Sequence, residues 1–257
     1  YEDYYRYYEI FADYYNTTMD NILITGGCDE AIRLTFEATL DKSKKFLTIT
    51  PTYRGSITNA IDLTDNIIEC GEDEDEITAH IEQHRPDVFY ICSPNNPTGW
   101  MLNSSEQKII LDHVRKKNCW LLADEVYHRI VYQGNASSSF LSLSEPEDKL
   151  LVVNSSSKSF NMTGWRVGWI THPEYLGEHI AKLVQISTTG VPEFIQKGFI
   201  GALKNHEFLV KEVMKNLHVS RNFVYNKMKH WTKLKINKLF VKLDVFPGNI
   251  YVKIQII

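Results

Sequence analysis

The feature that most constrains this fold is a series of short, almost fully apolar segments that alternate with helix-like segments. Three of them, DVFYI, CWLLA and LLVVN, occupy residues 87–91, 119–123 and 150–154. Continuous apolar strands of this kind occur in parallel sheets that helices cover on both faces, whereas one-faced sheets alternate polar and apolar residues. We therefore expect an α/β fold with a mainly parallel sheet sandwiched by helices.

The hydrophobic pattern also predicts the other strands and helices before Pro173. Strands are expected at 21–25, 46–50, 66–70 and 167–171, and helices at 3–15, 29–40, 55–63, 75–84 and 104–117. Ser104 followed by Gln107 predicts a capping box at the start of the last helix. The tyrosine-rich first helix has its apolar residues at helical spacing, which indicates packing in a core and at an interface.

The pattern changes after Pro173. Two long helical stretches, at 173–187 and about 193–230, lead to a predicted strand at 239–245 and the start of another at 250. This succession indicates a linker helix that leads into a smaller α+β domain.

We accordingly expect residues 1–190 to form a large α/β domain, and residues 191–257 to form the linker helix and part of a C-terminal small domain. The chain starts without a methionine and stops where a strand has just begun. We therefore expect it to be a fragment of a longer protein.

The composition of the chain argues against several classes of function. The formal net charge of −4 argues against a nucleic-acid partner or an anionic membrane surface. No apolar run approaches the roughly 18 residues of a membrane span. Four cysteines without a C-x-x-C pair indicate reduced thiols in the cytoplasm, and neither they nor the nine scattered histidines predict a metal site.

Polar loops follow five of the predicted strands. They are GGC at 26–28, PTY at 51–53, SPNNPTG at 93–99, DEVY at 124–127 and SSSK at 155–158. Ligands of open α/β sheets bind at the carboxyl ends of the strands, so these loops are expected to form one site. A lysine that forms an imine suits a carbonyl-bearing cofactor, an acid can pair with a pyridinium nitrogen, and glycine amides before a helix suit a phosphate.

The segment NSSSKSFNMTGWRVGW at 154–169 resembles the S-x-S-K-x-x-x-x-x-G-x-R-x-G segment of the fold-type I pyridoxal-phosphate enzymes, specifically the class I/II aminotransferases of the aspartate aminotransferase superfamily. The resemblance extends over essentially the whole chain and implies pyridoxal 5'-phosphate as cofactor. It implies that Lys158 holds the cofactor as an internal aldimine and moves protons between the substrate α-carbon and C4′. Ser155, Ser157 and Arg166 would bind the phosphate, for which a guanidinium fork is well shaped.

Two further loops are similar to family motifs. In ADEVY, the resemblance implies that Asp124 keeps the pyridine nitrogen protonated and that Tyr127 donates a hydrogen bond to the 3-oxygen of the ring. In NNPTG, Asn96 would donate to the same oxygen, and the bond before Pro97 is expected to be cis. A protonated pyridine ring acts as an electron sink for the carbanion at the substrate α-carbon.

The remaining two loops carry weaker signals. GGCDEAI looks like the family's phosphate turn, in which the amides of Gly27 and Cys28 meet the phosphate, and Tyr53 would stack on the ring face. Each motif alone is a common turn, cap or packing residue. Their order along the chain, each after a strand, favours the functional interpretation.

The resemblance implies a transaminase that moves an amino group from an amino acid to a 2-oxo acid by ping-pong transfer, in a homodimer. Tyr1, with Tyr4 or Tyr5 as alternatives, would reach the cofactor phosphate of the partner subunit. The arginine that binds the substrate α-carboxylate would lie beyond Ile257.

Two other functions stay open. A carbon–sulfur β-lyase would use the same cofactor and release pyruvate and ammonia without a 2-oxo acid acceptor. A non-catalytic domain that binds pyridoxal phosphate in a transcription regulator is the third possibility, although no basic or helix-turn-helix segment is present.

Overall fold

The computed structural model of the protein describes residues 2–15, 17–228, 242–246 and 249–253, and the side chains within 7–15 and 17–228. Seven strands form one sheet: β1 Ile22–Thr25, β2 Lys45–Ile49, β3 Asn66–Cys70, β4 Val88–Cys92, β5 Trp120–Asp124, β6 Leu150–Ser155 and β7 Gly168–Thr171. Their order across the sheet is β1-β7-β6-β5-β4-β2-β3. Strand β7 runs antiparallel to both neighbours and the other pairs are parallel, which confirms the predicted mainly parallel sheet.

Nine helices are described, and helices cover the sheet on both faces. They are α1 Glu2–Tyr15, α2 Cys28–Thr39, α3 Arg54–Ile61, α4 Glu74–His84, α5 Ser104–Lys117, α6 Ser156–Ser159, α7 Glu174–Ser187, α8 Glu193–Lys204 and α9 His206–Met228. Alternate side chains of each central strand enter different layers. Tyr90 and Leu122 lie in one buried cluster with α2 and α7, and Phe89 and Leu121 lie in the other with α4 and α5.

The bounds predicted for α5 are confirmed, but its predicted capping box and one predicted helix need correction. The start of α5 is capped by Asn103 and Glu106 in a complete capping box, one residue earlier than the predicted Ser104 and Gln107. The single helix predicted over about 193–230 is two helices. Asn205 separates them, because its backbone leaves the helical region (φ −114°, ψ 21°) and its side chain bonds back to the preceding turn.

The C-terminal part follows the prediction where it is described. Strands β8 (Lys242–Phe246) and β9 (Asn249–Lys253) pair antiparallel. The first residues of the predicted strand at 239–245 lie outside the described residues, as does Tyr1, and the side chains of Tyr4 and Tyr5 are not described.

The tyrosine-rich first helix packs inside the chain. Phe11 of α1 lies 5.6 Å from Trp169 and 5.1 Å from Phe199, ring centroid to ring centroid. Tyr7 and Tyr8 are buried in the same cluster. The helix therefore joins strand β7 to α8, which confirms the packing role predicted for it in a core.

Among the described residues, no helix is long and apolar enough to cross a membrane. The same residues contain no group of three or more histidine, cysteine or acidic side chains placed to hold a metal ion. The four cysteines, Cys28, Cys70, Cys92 and Cys119, are all free thiols.

Candidate active site

The five polar loops open into one cavity. Strands β1, β2, β4, β5 and β6 run in the same direction, so the loops after them meet at one edge of the sheet. The cavity has a volume of about 680 Å³, within the range typical of small-molecule sites. Its lining includes nine of the predicted site residues: Cys28, Tyr53, Asn96, Asp124, Tyr127, Ser155, Ser157, Lys158 and Arg166.

Asp124 ends the central strand β5 and is almost completely buried. Its Oδ2 accepts a 2.8 Å hydrogen bond from the Tyr90 hydroxyl, and its Oδ1 accepts one from the Val126 amide. The Cys28 thiol lies 3.7 Å from Oδ1. Burial and the nearby Asp124 carboxylate raise the pKa of both Tyr90 and Cys28, so these two groups stay protonated donors beside it.

Tyr90 was not among the predicted site residues. A tyrosine within an apolar strand signals a buried hydroxyl in need of a partner. In the β4–β5 register Tyr90 stands opposite Leu122 and Cys92 stands opposite Asp124, so Tyr90 reaches the carboxylate diagonally. The pairing depends on which strands are neighbours, and the sequence does not state that order.

Lys158 follows the end of β6 on the one-turn helix α6. Its side chain is half-buried and its Nζ lies 5.9 Å from the centroid of the Tyr127 ring. Tyr127 is itself 4% exposed and comes three residues after Asp124. Two adjacent parallel strands therefore bring the lysine, the phenol and the carboxylate to the same cavity.

Asn96 lies in the loop after β4, before a cis bond to Pro97. The cis geometry is the one expected from the NNPTG motif. The side-chain oxygen of Asn96 is buried and has no hydrogen-bond partner among the described residues. Buried polar groups are normally paired, so an unpaired amide atom on a residue that lines a cavity is consistent with a site for a polar ligand.

Arg166 meets the start of α2. Its guanidinium donates a 3.1 Å hydrogen bond to the carbonyl of Gly26. Gly27 has a φ of 105°, and a side chain on it would overlap the Arg166 guanidinium. The first amides of a helix have no intrahelical partner and attract anions, so the turn and the arginine together form an electropositive corner.

The two predicted serines are arranged differently from each other. The Ser155 hydroxyl accepts from the Ser157 amide at 3.1 Å and donates to the Val167 carbonyl at 3.0 Å, and so caps α6. The Ser157 hydroxyl lies 2.9 Å from that of Ser155. Ser155 thus holds the start of the lysine-bearing turn, and phosphate binding by either serine stays a prediction.

Tyr53 forms part of the cavity wall, and contacts with two other residues fix its position. Its hydroxyl donates a 2.6 Å hydrogen bond to Asp29 on the first turn of α2. Its ring lies over Gly55, where any added side chain would overlap it. Burial, and then the bond to Asp29, raise the pKa of Tyr53, so the hydroxyl is a donor at neutral pH. Asp29 and Gly55 were not predicted from the sequence.

Comparison with known proteins decides the family. The family described as "Aminotransferase class I and II" matches residues 5–245. The chain belongs to this family. Its members depend on pyridoxal phosphate, which is the cofactor expected from the Lys158 segment.

Named relatives agree with the assignment. A probable aspartate aminotransferase of Methanocaldococcus jannaschii is 27% identical over 254 residues, which cover 91% of this chain and 64% of that protein. An aromatic-amino-acid aminotransferase of Thermococcus litoralis is 32% identical over 143 residues, covering 55% of this chain and 37% of that protein. The chain spans less than two thirds of the length of these relatives.

Solved structures show the same fold. The aspartate aminotransferase of Thermotoga maritima superposes with a TM-score of 0.75 at 24% identity, covering 92% of this chain and 64% of that one. The aspartate aminotransferase of Thermus thermophilus with maleate gives a TM-score of 0.76 at 23% identity, covering 87% and 62%. The fold is therefore that of the fold-type I aminotransferases.

The residues of the cavity fit pyridoxal phosphate. The corner at Arg166 and the start of α2 suits a dianionic phosphate. The side-chain NH2 of Asn96, a residue of the cavity lining, suits the 3-oxygen of a pyridine ring as a donor, and the carboxylate of Asp124 suits the ring nitrogen. Lys158 supplies the amine that a cofactor aldehyde requires.

Proposed function

We propose that this protein is a pyridoxal-phosphate-dependent aminotransferase that moves an amino group from an amino acid to a 2-oxo acid, with Lys158 as its catalytic lysine. The observation that carries the proposal is the convergence of Lys158, Asp124, Asn96, Tyr127 and Arg166 on one cavity of a class I/II aminotransferase fold. Five separate loops supply these residues or hold the cavity wall, so chance proximity is a poor explanation of the set.

Binding and orientation come first. Arg166 and the amides of Gly27 and Cys28 hold the phosphate, with the fork of the guanidinium matched to two phosphate oxygens. Tyr53 supplies an aromatic face that Asp29 keeps in place. These contacts orient the ring before any proton moves, which lowers the entropic cost of reaction.

Asp124, Tyr127 and Asn96 set the charge at the ring. The Asp124 carboxylate holds a proton on the ring nitrogen, and its bonds to Tyr90 and Val126 keep the carboxylate fixed. Tyr127 and Asn96 donate to the 3-oxygen. When bound, pyridoxal phosphate supplies an electron-accepting ring that stabilises negative charge at the substrate α-carbon.

Lys158 moves the proton. Its amine takes the proton from the substrate α-carbon and returns it on the other side of the transferred nitrogen, as a general base and then a general acid. The nearby Tyr127 ring limits the positions that the lysine side chain can occupy. With this proton transfer, and with water to cleave the carbon–nitrogen bond and release a 2-oxo acid, one half of the transfer would be complete, and a second 2-oxo acid would reverse it in the other half.

The proposal also includes an oligomeric state and a cellular location. We propose a homodimer, supported by exposed apolar side chains on α7 and α8 such as Ile186 and Phe194. We propose a cytoplasmic location, supported by four free thiols, since reduced cysteines are usual in that compartment.

Absorbance spectroscopy of the protein loaded with pyridoxal phosphate tests the function. Relatives named for aspartate and for aromatic amino acids suggest those compounds first in a panel of donors. We expect at least one donor to convert the bound cofactor to its amine form and a 2-oxo acid to restore it. Bound cofactor that answers no donor would contradict the proposal, and release of pyruvate and ammonia without an acceptor would indicate a β-lyase.

A further inference from the structure

A buried asparagine joins two of the loops that line the cavity. Asn95 is completely buried and directly precedes Asn96. Its side-chain nitrogen donates to the carbonyl of Pro51 at 2.7 Å, and its side-chain oxygen accepts from the Thr52 hydroxyl at 2.8 Å. The loop after β2 and the loop after β4 are therefore fixed to each other through one amide.

A carboxylate from a third strand completes this connection. Glu72 follows the edge strand β3, and its Oε1 accepts hydrogen bonds from Asn95 at 2.6 Å and from the buried Thr98 hydroxyl. The Asn95 backbone closes the same loop, accepting from Gly99 and donating to Trp100. Hydrogen bonds to an ionised acceptor are stronger than neutral ones, so Glu72 anchors the network.

The network reaches the cavity wall, because Pro51 and Thr52 line the cavity themselves. Thr52 precedes Tyr53, and Asn95 precedes Asn96, whereas Glu72 does not line the cavity. A shift of Asn95 would therefore move the aromatic wall and the amide donor together. Both groups are assigned above as contacts of the cofactor ring.

We infer that Glu72 is a positioning residue that holds Asn96 and Tyr53 in register for pyridoxal phosphate. The inference rests on the proposed function, because it concerns how this cavity meets the cofactor ring. Glutamine at this position would present a weaker, neutral acceptor, and its amide hydrogens would face the donor groups of Asn95 and Thr98. Alanine would leave those donors without the carboxylate.

Ligand binding separates positioning from a merely structural role. Pyridoxamine phosphate has no aldehyde and cannot bond covalently to Lys158, so its affinity reports the contacts of Asn96, Tyr53 and the phosphate corner. The pH midpoint of the absorbance of bound pyridoxal phosphate reports the proton that the 3-oxygen shares with the nitrogen of the bond to Lys158. A hydrogen bond to the charged form lowers that midpoint, so a displaced Asn96 raises it.

The experiment uses the full chain with Glu72→Gln and Glu72→Ala, and Glu76→Gln as the matched control. Glu76 binds the same loop after β3, where it accepts a 2.7 Å hydrogen bond from the Gly71 amide. We expect both Glu72 variants to bind pyridoxamine phosphate roughly tenfold more weakly and to raise the pH midpoint by roughly one unit. The control should stay within about twofold of the wild type, within the spread of ordinary surface changes.

The outcomes distinguish the two claims. If the wild type binds both compounds and the Glu72 variants match the control in affinity and midpoint, the inference is wrong even if their stability falls. If the wild type binds neither compound, the proposed function is wrong and the inference fails with it.

Discussion

At the scale of single residues, the groups that line the cavity are held in place by neighbouring residues that were not predicted from the sequence. The Tyr53 ring is placed by the absence of a side chain at Gly55 and by the carboxylate of Asp29. Asp124 is held by a direct hydrogen bond from the Tyr90 hydroxyl. The chemistry assigned to the loops therefore requires neighbours that the loops do not contain.

Gly55→Ala tests the placement of Tyr53. The added methyl group would overlap the Tyr53 ring, so the ring must move and lose part of its contact with the cofactor. We expect about fivefold weaker binding of pyridoxamine phosphate, about 1 kcal/mol, in a titration followed by absorbance. Helix α3 should not be weakened, because alanine favours helix more than glycine does.

Gly201→Ala is the control for this substitution. Gly201 also lies within a helix, and a methyl group there would meet no atom within 4 Å. The two variants should differ in ligand affinity. Equal affinity would show that Gly55 has no part in placing the ring.

At the scale of elements, the loop after β5 contains a second buried carboxyl group. Glu125 is 2% exposed, and its Oε1 accepts a 2.9 Å hydrogen bond from the Phe140 amide. Burial raises its pKa to about 7. The bond ties the loop that carries Asp124 and Tyr127 to the turn at 140–143.

Glu125→Gln should change how stability depends on pH. In the folded protein Glu125 keeps its proton up to about pH 7, whereas in the unfolded chain it loses the proton near pH 4.5. The folded state binds more protons between these values, so this group's contribution to stability falls as the pH rises from about 5 to 8. Glutamine has no proton to lose and should remove that fall, which is a few kcal/mol at most.

Chemical denaturation at several pH values measures this effect. The stability difference between the wild type and Glu125→Gln should shift steadily in favour of the variant as the pH rises. Glu145→Gln, at an exposed carboxylate, serves as the control. Parallel stability curves for the wild type and Glu125→Gln would contradict a raised pKa of Glu125.

The sequence was most informative about the positions of the strands and of the loops that follow them. Apolar strand runs are strong signals, so all seven strands of the sheet and the five loops were predicted close to their observed places. The bounds of α5 were predicted correctly, but its capping box was assigned one residue too late because Asn103–Glu106 and Ser104–Gln107 both satisfy the capping pattern. The local sequence pattern alone does not show which of the two residue pairs caps the helix.

Contacts between residues on different strands could not be predicted from the sequence, for a different reason. Tyr90 reaches Asp124 on the neighbouring strand β5, whereas Glu72, after β3, reaches Asn95, after β4, past the strand β2 that lies between them. These pairs follow from the strand order β1-β7-β6-β5-β4-β2-β3, and short-range spacing contains no record of that order. The residues that do chemistry were therefore accessible from motifs, and the residues that hold them were not.

At the scale of the whole molecule, exposed apolar groups gather near the phosphate corner. Trp165 precedes Arg166 and packs on Gly198 of α8, and Phe194, at the start of that helix, is 75% exposed. Ile186, at the end of α7, is 84% exposed. We propose that a second copy of the chain covers this surface, and that residues 1–190 and 191–257 form the two domains of each copy.

Light scattering tests the assembly. We expect a mass of twice the 29.8 kDa of one chain at micromolar concentration. Phe194→Asp should shift the protein toward monomer, because it would bury a charge without a partner in the interface. Tyr175→Asp, at the opposite end of α7, should not. A wild-type monomer under these conditions would contradict the proposed dimer.

The central claim is that Lys158 is the residue that carries pyridoxal phosphate, and borohydride reduction followed by peptide mapping tests it most directly. Reduction makes the bond between cofactor and lysine permanent, so the modified peptide identifies the residue. We predict one cofactor per chain, attached at Lys158, and none on folded Lys158→Ala, while Lys204→Ala, at the exposed end of α8, is labelled like the wild type. Stoichiometric labelling of another lysine in the wild type, or undiminished labelling of Lys158→Ala, would contradict the account.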